Sequence, residues 1–254
     1  MLRTMVERLS RGRAFKRHLP ADFGRTPLYV SPDSQLKYLK PGASAFDAEL
    51  LRVAREELHS GDVVWDIGAN VGVFAFAAAS RTQSGDVLAV EPDIWLAGLL
   101  RKSANLEQNR GLGVRVLPAA IAAEPGMETF LVAERGRASN ALSGPGARGQ
   151  AGGIREQVLV PTLSLDLLLH SNSAPAFIKI DVEGAEKLVL EGATSMLSAI
   201  RPTIYIEVGS GARAAVTMLL KDNNYRLCDG ALPKGEERSI ETCTFNTLAF
   251  PCES

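Results

Sequence analysis

Acids and glycines stand in this chain where ligand chemistry is commonly done. Asp66-Ile67-Gly68-Ala69-Asn70-Val71-Gly72 lies between the apolar run Val63-Val64-Trp65 and a stretch of helical character beginning at Gly72. Glycines at a strand end let the backbone turn tightly and approach a ligand, and the helix that follows offers unpaired N–H groups. A dinucleotide fingerprint needs glycine at positions 68, 70 and 73, where this chain has Gly68, Asn70 and Val73. The Gly-Lys-Ser/Thr of a phosphate-binding loop is absent as well. Asp66, at the head of the turn, would repel a pyrophosphate and suits a cationic, amino-acid-bearing group. The next apolar run ends in Glu91-Pro92, and an acid at that point accepts hydrogen bonds from both hydroxyls of a ribose. Together these features point to a nucleoside-bearing cofactor that is not a phosphate ester.

A second group of acids follows later apolar runs. Asp181 and Glu183 come after Phe177-Ile178-Lys179-Ile180, and Glu207 after Ile204-Tyr205-Ile206. Open α/β sheets bind ligands at the C-terminal ends of their strands, so Asp181, Glu183 and Glu207 are the candidate catalytic residues. If the two strands are neighbours, Asp181 and Glu207 face one cleft, where they would orient a hydroxyl, act as a base or share a divalent cation. The chain offers no obvious third ligand, so no metal site is assigned. Glu183 precedes Gly184 at a helix start, and capping is its competing role. Lys179 reads either as a catalytic lysine or as a structural partner for a strand-end carboxylate. His18, His59 and His170 are the only histidines, too few and too scattered for a histidine-rich metal centre.

The elements that must position these residues alternate along the chain. Strands are expected at 63–67, 86–90, 114–121, 176–182 and 203–208, with two more at 225–227 and 244–250. Helices are expected at 46–58, 72–80, 93–109 and 185–197. Short, continuous apolar strands separated by helices imply an α/β fold with a mostly parallel sheet, helices on both faces and right-handed crossovers. The segment 129–163 breaks this rhythm. Two strand-like flanks there enclose a Gly-, Ser- and Ala-rich stretch, expected to be a mobile substrate loop, with Ser139-Asn140 as a place for substrate contact. Residues 1–44 read as a basic extension and residues 45–254 as the main domain. The stripe Met1, Leu2, Met5, Val6 and Leu9 predicts a short amphipathic helix. It would pack on the domain's flank, close over a substrate or touch a membrane surface.

Composition narrows the class. The chain has 254 residues, is 46% hydrophobic and 22% charged, and carries a net charge of −1, which gives no electrostatic reason to expect a nucleic-acid partner. No apolar run is long enough for a membrane span. The three cysteines, Cys228, Cys243 and Cys252, have no metal spacing, consistent with reduced thiols and a cytoplasmic location. Nothing in the sequence fixes the oligomeric state.

The segments DIGANVGVF, AVEPD, FIKIDVEGAE and PTIYIE together resemble the FkbM family of class I methyltransferases. The resemblance implies a Rossmann-like, mostly parallel seven-stranded sheet whose last strand is antiparallel, and S-adenosyl-L-methionine as cofactor. It implies that Asp66, Gly68, Asn70 and Gly72 line the cofactor's methionine end and Glu91 its ribose. Many class I enzymes carry a polar group after the third strand to meet the adenine amine. Here the sequence is Pro118-Ala119-Ala120-Ile121, so adenine recognition is expected from backbone groups and packing, with Ala120 as the contact. The implied activity is O-methylation of a hydroxyl on a small molecule, a sugar or glycan unit or a polyketide-type metabolite. The alternatives are an RNA-modifying methyltransferase and a non-catalytic, cofactor-binding scaffold of the same fold.

Overall fold

The computed structural model describes the chain apart from residues 1–5, 7–8, 84, 135, 144–152, 237 and 253–254. In chain order the elements are β1 (Phe15–His18), β2 (Pro27–Val30), α1 (Ala48–Glu57), β3 (Val64–Ile67), α2 (Val73–Thr82), β4 (Val87–Val90) and α3 (Ile94–Ala104). Then come β5 (Val114–Leu117), β6 (Ala120–Ile121), β7 (Gly126–Ala133), β8 (Ala141–Leu142), β9 (Ile154–Leu163) and α4 (Leu165–Leu168). The chain finishes with β10 (Phe177–Ile180), α5 (Glu186–Glu191), β11 (Thr203–Glu207), α6 (Arg213–Asp222), β12 (Tyr225–Asp229) and β13 (Asn246–Pro251).

Among the described residues the central sheet has seven strands in the order β12-β13-β11-β10-β3-β4-β5. The strands from β11 to β5 pair in parallel, and β13 runs antiparallel to both β11 and β12. This is the Rossmann-like arrangement expected above. The central strands are largely apolar on both faces because helices cover both. Val64, Ala89, Phe177 and Leu248 join one core with α1, α2 and α3. Trp65, Ile67, Ile178 and Ile206 join the other with α5 and α6. Asp47 and Asp93 cap α1 and α3, each accepting hydrogen bonds from amides of the first turn.

Three departures from the expected elements have local causes. The strand expected over 114–121 is split at Pro118, which has no N–H for a ladder bond. Beyond it β6 turns away and pairs with β9 in a second sheet, ordered β6-β9-β7-β8. The helix expected over 185–197 is interrupted at Gly192, where a Cβ would stand 2.5 Å from the carbonyl oxygen of Ala122, and resumes into a π-turn over Met196–Ile200. The helix expected over 93–109 ends at Ala104 and is followed by a 3-10 turn.

The flanks of the insertion are strands, as expected, with Phe130 opposite Val158 on the antiparallel pair β7–β9. Within the loop, a 3-10 turn at Arg137–Ser139 and strand β8 are described; residues 144–152 lie outside the described residues. So does most of the helix expected over residues 1–9. The hairpin β1–β2 and the turns after it place Leu19, Phe23, Leu28 and Tyr38 in the same core as α2 and α3. Among the described residues, no helix is long and apolar enough to cross a membrane.

Candidate active site

The glycine turn leaves the end of β3 with Gly68, Asn70 and Gly72 all in the left-handed region, at φ of 77°, 54° and 89°. At Gly68 a Cβ would lie 1.8 Å from the carbonyl oxygen of Asp181, so the turn sits directly on the backbone that follows β10. At Gly72 a Cβ would meet Leu100 at 2.3 Å and Phe76 at 3.0 Å. That glycine seats α2 against α3 and does not line the cleft. Asn70 occupies a conformation that glycine favours. Its Oδ1 accepts from the Ser34 hydroxyl at 2.6 Å and the Val71 amide at 2.8 Å.

Glu91 follows β4 and faces the turn. Its Oε2 accepts from the Asn70 amide at 2.8 Å and its Oε1 from the Asp93 amide at 2.9 Å. Burial, and then the nearby charge of Asp93, push its carboxyl up to about 8. A carboxylate has roughly four lone-pair sites, so each oxygen keeps one for a donor from a ligand. Gly68, Asn70, Glu91 and Ala120 line one cleft of about 560 Å³, counting its open mouth, with Pro92 and Phe130 among its apolar walls.

Next to the turn, three strands bring a polar row into register: Asp66 on β3 faces Lys179 on β10, which faces Tyr205 on β11. Asp66 is fully buried and does not line the cleft. Neither of its carboxylate oxygens meets a well-aligned hydrogen-bond donor, and the Lys179 ammonium, 3.1 Å away, compensates its charge. The Lys179 Nζ also donates to the Gly68 carbonyl at 2.8 Å and lies 3.7 Å from Asp181. Burial alone would lower the lysine's pKa; the charges of Asp66, Asp181 and Glu207 outweigh it and hold the ammonium protonated.

Asp181 and Glu207 leave neighbouring strands side by side, since Ile180 pairs with Ile206 in parallel register. Asp181 and Glu183 line the cleft; Glu207 is partly exposed and does not line it. Burial first, and then the charge of Asp181, raise the Glu207 pKa, with Lys179 opposing them. The Gly184 amide donates to Glu186 at 2.7 Å, and Ala185 occupies the N-cap position of α5. Among the described residues, no three His, Cys, Asp or Glu side chains come together as a metal site.

The residues that sequence reasoning missed come from outside the βα units. Arg137 lines the cleft. Its Nε donates to Asp33 at 3.0 Å, a second nitrogen donates to Asp93, and the guanidinium lies 4.9 Å from the Trp95 ring. Asn140, expected as a substrate contact, donates to Asp93 at 2.8 Å and accepts from the Ala133 amide at 2.8 Å. An arginine in a glycine-rich stretch has no periodicity to mark it; the adjoining Ser139-Asn140 was the nearest signal.

A family profile described as a methyltransferase FkbM domain matches residues 66–227. The hexuronic acid methyltransferase AglP of Haloferax volcanii is 25% identical over 179 residues, covering 69% of this chain and 68% of that protein. Among solved structures, the precorrin-6y C5,15-methyltransferase of Geobacter metallireducens aligns at 14% identity and a TM-score of 0.46, covering 80% of this chain and 87% of that one. A methyltransferase FkbM from Methylobacillus flagellatus aligns at 16% identity and a TM-score of 0.47, covering 75% of this chain and 43% of that one.

Proposed function

Because the chain belongs to the FkbM methyltransferase family and is an S-adenosylmethionine-dependent methyltransferase, we propose that it methylates a hydroxyl oxygen on a sugar or glycan unit. The observation that carries this reading is the placement of Asp181, which lines the cofactor cleft against the Gly68 turn with Glu207 on the adjacent strand end. The relative named for hexuronic acid supports a sugar acceptor.

In this reading the free lone pairs of Glu91 accept the ribose hydroxyls. The Gly68–Asn70 turn takes the methionine end, and Ala120, Pro92 and Phe130 pack the adenine. When bound, the cofactor supplies an electrophilic methyl group on a sulfonium. The chain's own work is to align an acceptor hydroxyl in line with that group, exclude water and receive a proton. The Asp181 carboxylate orients the hydroxyl and accepts its proton as the oxygen takes the methyl group. Glu207, whose raised pKa suits proton exchange, supports Asp181 from the adjacent strand end.

The test is transfer of a labelled methyl group to a panel of neutral sugars, uronic acids and short glycans, with the product linkage identified. An alkali-stable methyl ether on a sugar is the expected product. Methylation confined to a nitrogen or to RNA would overturn the reading.

A further inference from the structure

We infer that Lys179 is a positioning residue for methyl transfer, its one buried ammonium tying the cofactor turn to the acceptor-side carboxylate. The inference rests on the reading of Asp181 given above. Lys179 sits in the middle of an otherwise apolar strand and is 3% exposed. A lysine is almost never placed there unless its charge is paired. One carboxylate would suffice for that, and Asp66 provides it at 3.1 Å. Yet the ammonium also donates to the carbonyl of Gly68 at 2.8 Å and approaches Asp181 at 3.7 Å. Its donors thus reach three consecutive parts of the reaction geometry: the strand that leads into the turn, the turn itself and the candidate base.

Packing makes this arrangement mechanical as well as electrostatic. The missing Cβ of Gly68 lets the turn rest directly on the carbonyl of Asp181. The charge balance also depends on the lysine. Glu207 is faced by Asp181, Lys179, Glu183 and Asp47, and Tyr205 on its own strand donates to Glu49. Lys37 is paired with Asp47 at 3.0 Å. Lys179 thus opposes the mutual repulsion of Asp181 and Glu207, and Asp66 competes with them for its charge.

That competition gives two variants opposite signs. Asp66→Asn frees the ammonium for the strand ends, and the Glu207 titration midpoint falls. Lys179→Met combined with Asp66→Asn removes both buried charges, and the midpoint rises by one pH unit or more, a tenfold change in proton affinity. The midpoint is read by carbon-13 NMR of carboxyl-labelled glutamate, with Glu207→Gln assigning the signal. S-adenosylhomocysteine affinity, measured by calorimetry, falls at least tenfold in the double variant because the turn has lost its tie. A lysine with a merely structural role would change the melting temperature and leave the midpoint in place. If the double variant fails to fold, Asp66→Asn alone decides: an unchanged or raised midpoint overturns the inference. Failure of the unmodified protein to bind S-adenosylhomocysteine would instead overturn the functional reading, and the two failures are separate measurements.

Discussion

The guanidinium of Arg137 donates from Nε to the Asp33 carboxylate at 3.0 Å, joining residues 104 apart in sequence. The same group reaches Asp93, the cap of α3. Asp33 also accepts from Arg155 at 3.1 Å. A segment before the first central strand and the insertion between β7 and β9 thus meet beside Glu91. Both carboxylates are 3% exposed and Arg137 is 11% exposed, so little solvent is available to replace the guanidinium.

Arg137→Ala should destabilise the protein by about 3 kcal/mol, the low end for breaking a buried pair, since Asp33 keeps Arg155. Urea unfolding measures this. A loss below about 0.5 kcal/mol would place the contact in the range of solvated surface pairs.

Glu91 should couple cofactor binding to proton release. Its carboxyl, pushed up to about 8 by burial and by Asp93, holds a proton at neutral pH that the ribose hydroxyls would displace. S-adenosylhomocysteine affinity should therefore rise up to about tenfold per pH unit toward pH 8 and level off above it. Calorimetry in buffers of different ionisation enthalpy should find about one proton released at pH 7, and Glu91→Ala should abolish the release. In the ligand-free protein the raised value means that folding takes up a proton. The group's stabilising contribution is full below its ordinary value of 4.5 and declines as pH rises from there to about 8.

The two glycines of the turn should fail differently. Gly68→Ala drives a methyl group into the backbone oxygen of Asp181, which cannot yield, whereas Gly72→Ala meets the end of the Leu100 side chain. Both add about 1–2 kcal/mol of left-handed strain. Only Gly68→Ala should abolish S-adenosylhomocysteine binding; Gly72→Ala should lower the melting temperature and retain binding. Equal loss of binding in both would show that Gly72 contacts the ligand.

Asp181→Asn keeps the size of the side chain and removes its basicity. Turnover should fall about 10²–10⁴-fold, the usual weight of a general base, with cofactor affinity nearly unchanged. Chelators should leave the unmodified enzyme's rate unaltered. Full turnover in the variant would make Asp181 structural and turn attention to Glu207.

By itself the sequence determined the parts whose signals are local. Short runs rich in apolar and β-branched residues, such as Val64–Ile67 and Phe177–Ile180, each broken by a single charge, read as strands covered on both faces. Glycine at 68 marks a turn that no side chain can fill, and acids directly after strands fall at the ligand-binding edge by topology alone. Tertiary structure decided which of those residues reach the cleft. It buried Asp66 on Lys179, gave Gly72 to helix packing and left Glu207 out of the cleft lining. It broke the strand at Pro118 to start a second sheet, and it drew residues 15–39 into the main core. It also brought Arg137 and Asn140 to the cleft, with Asp33 bonded to Arg137. The reason is physical: periodicity and turn chemistry are written within a few residues, whereas the partner of a charged side chain is fixed by where distant segments cross, and neither segment carries a mark of the other.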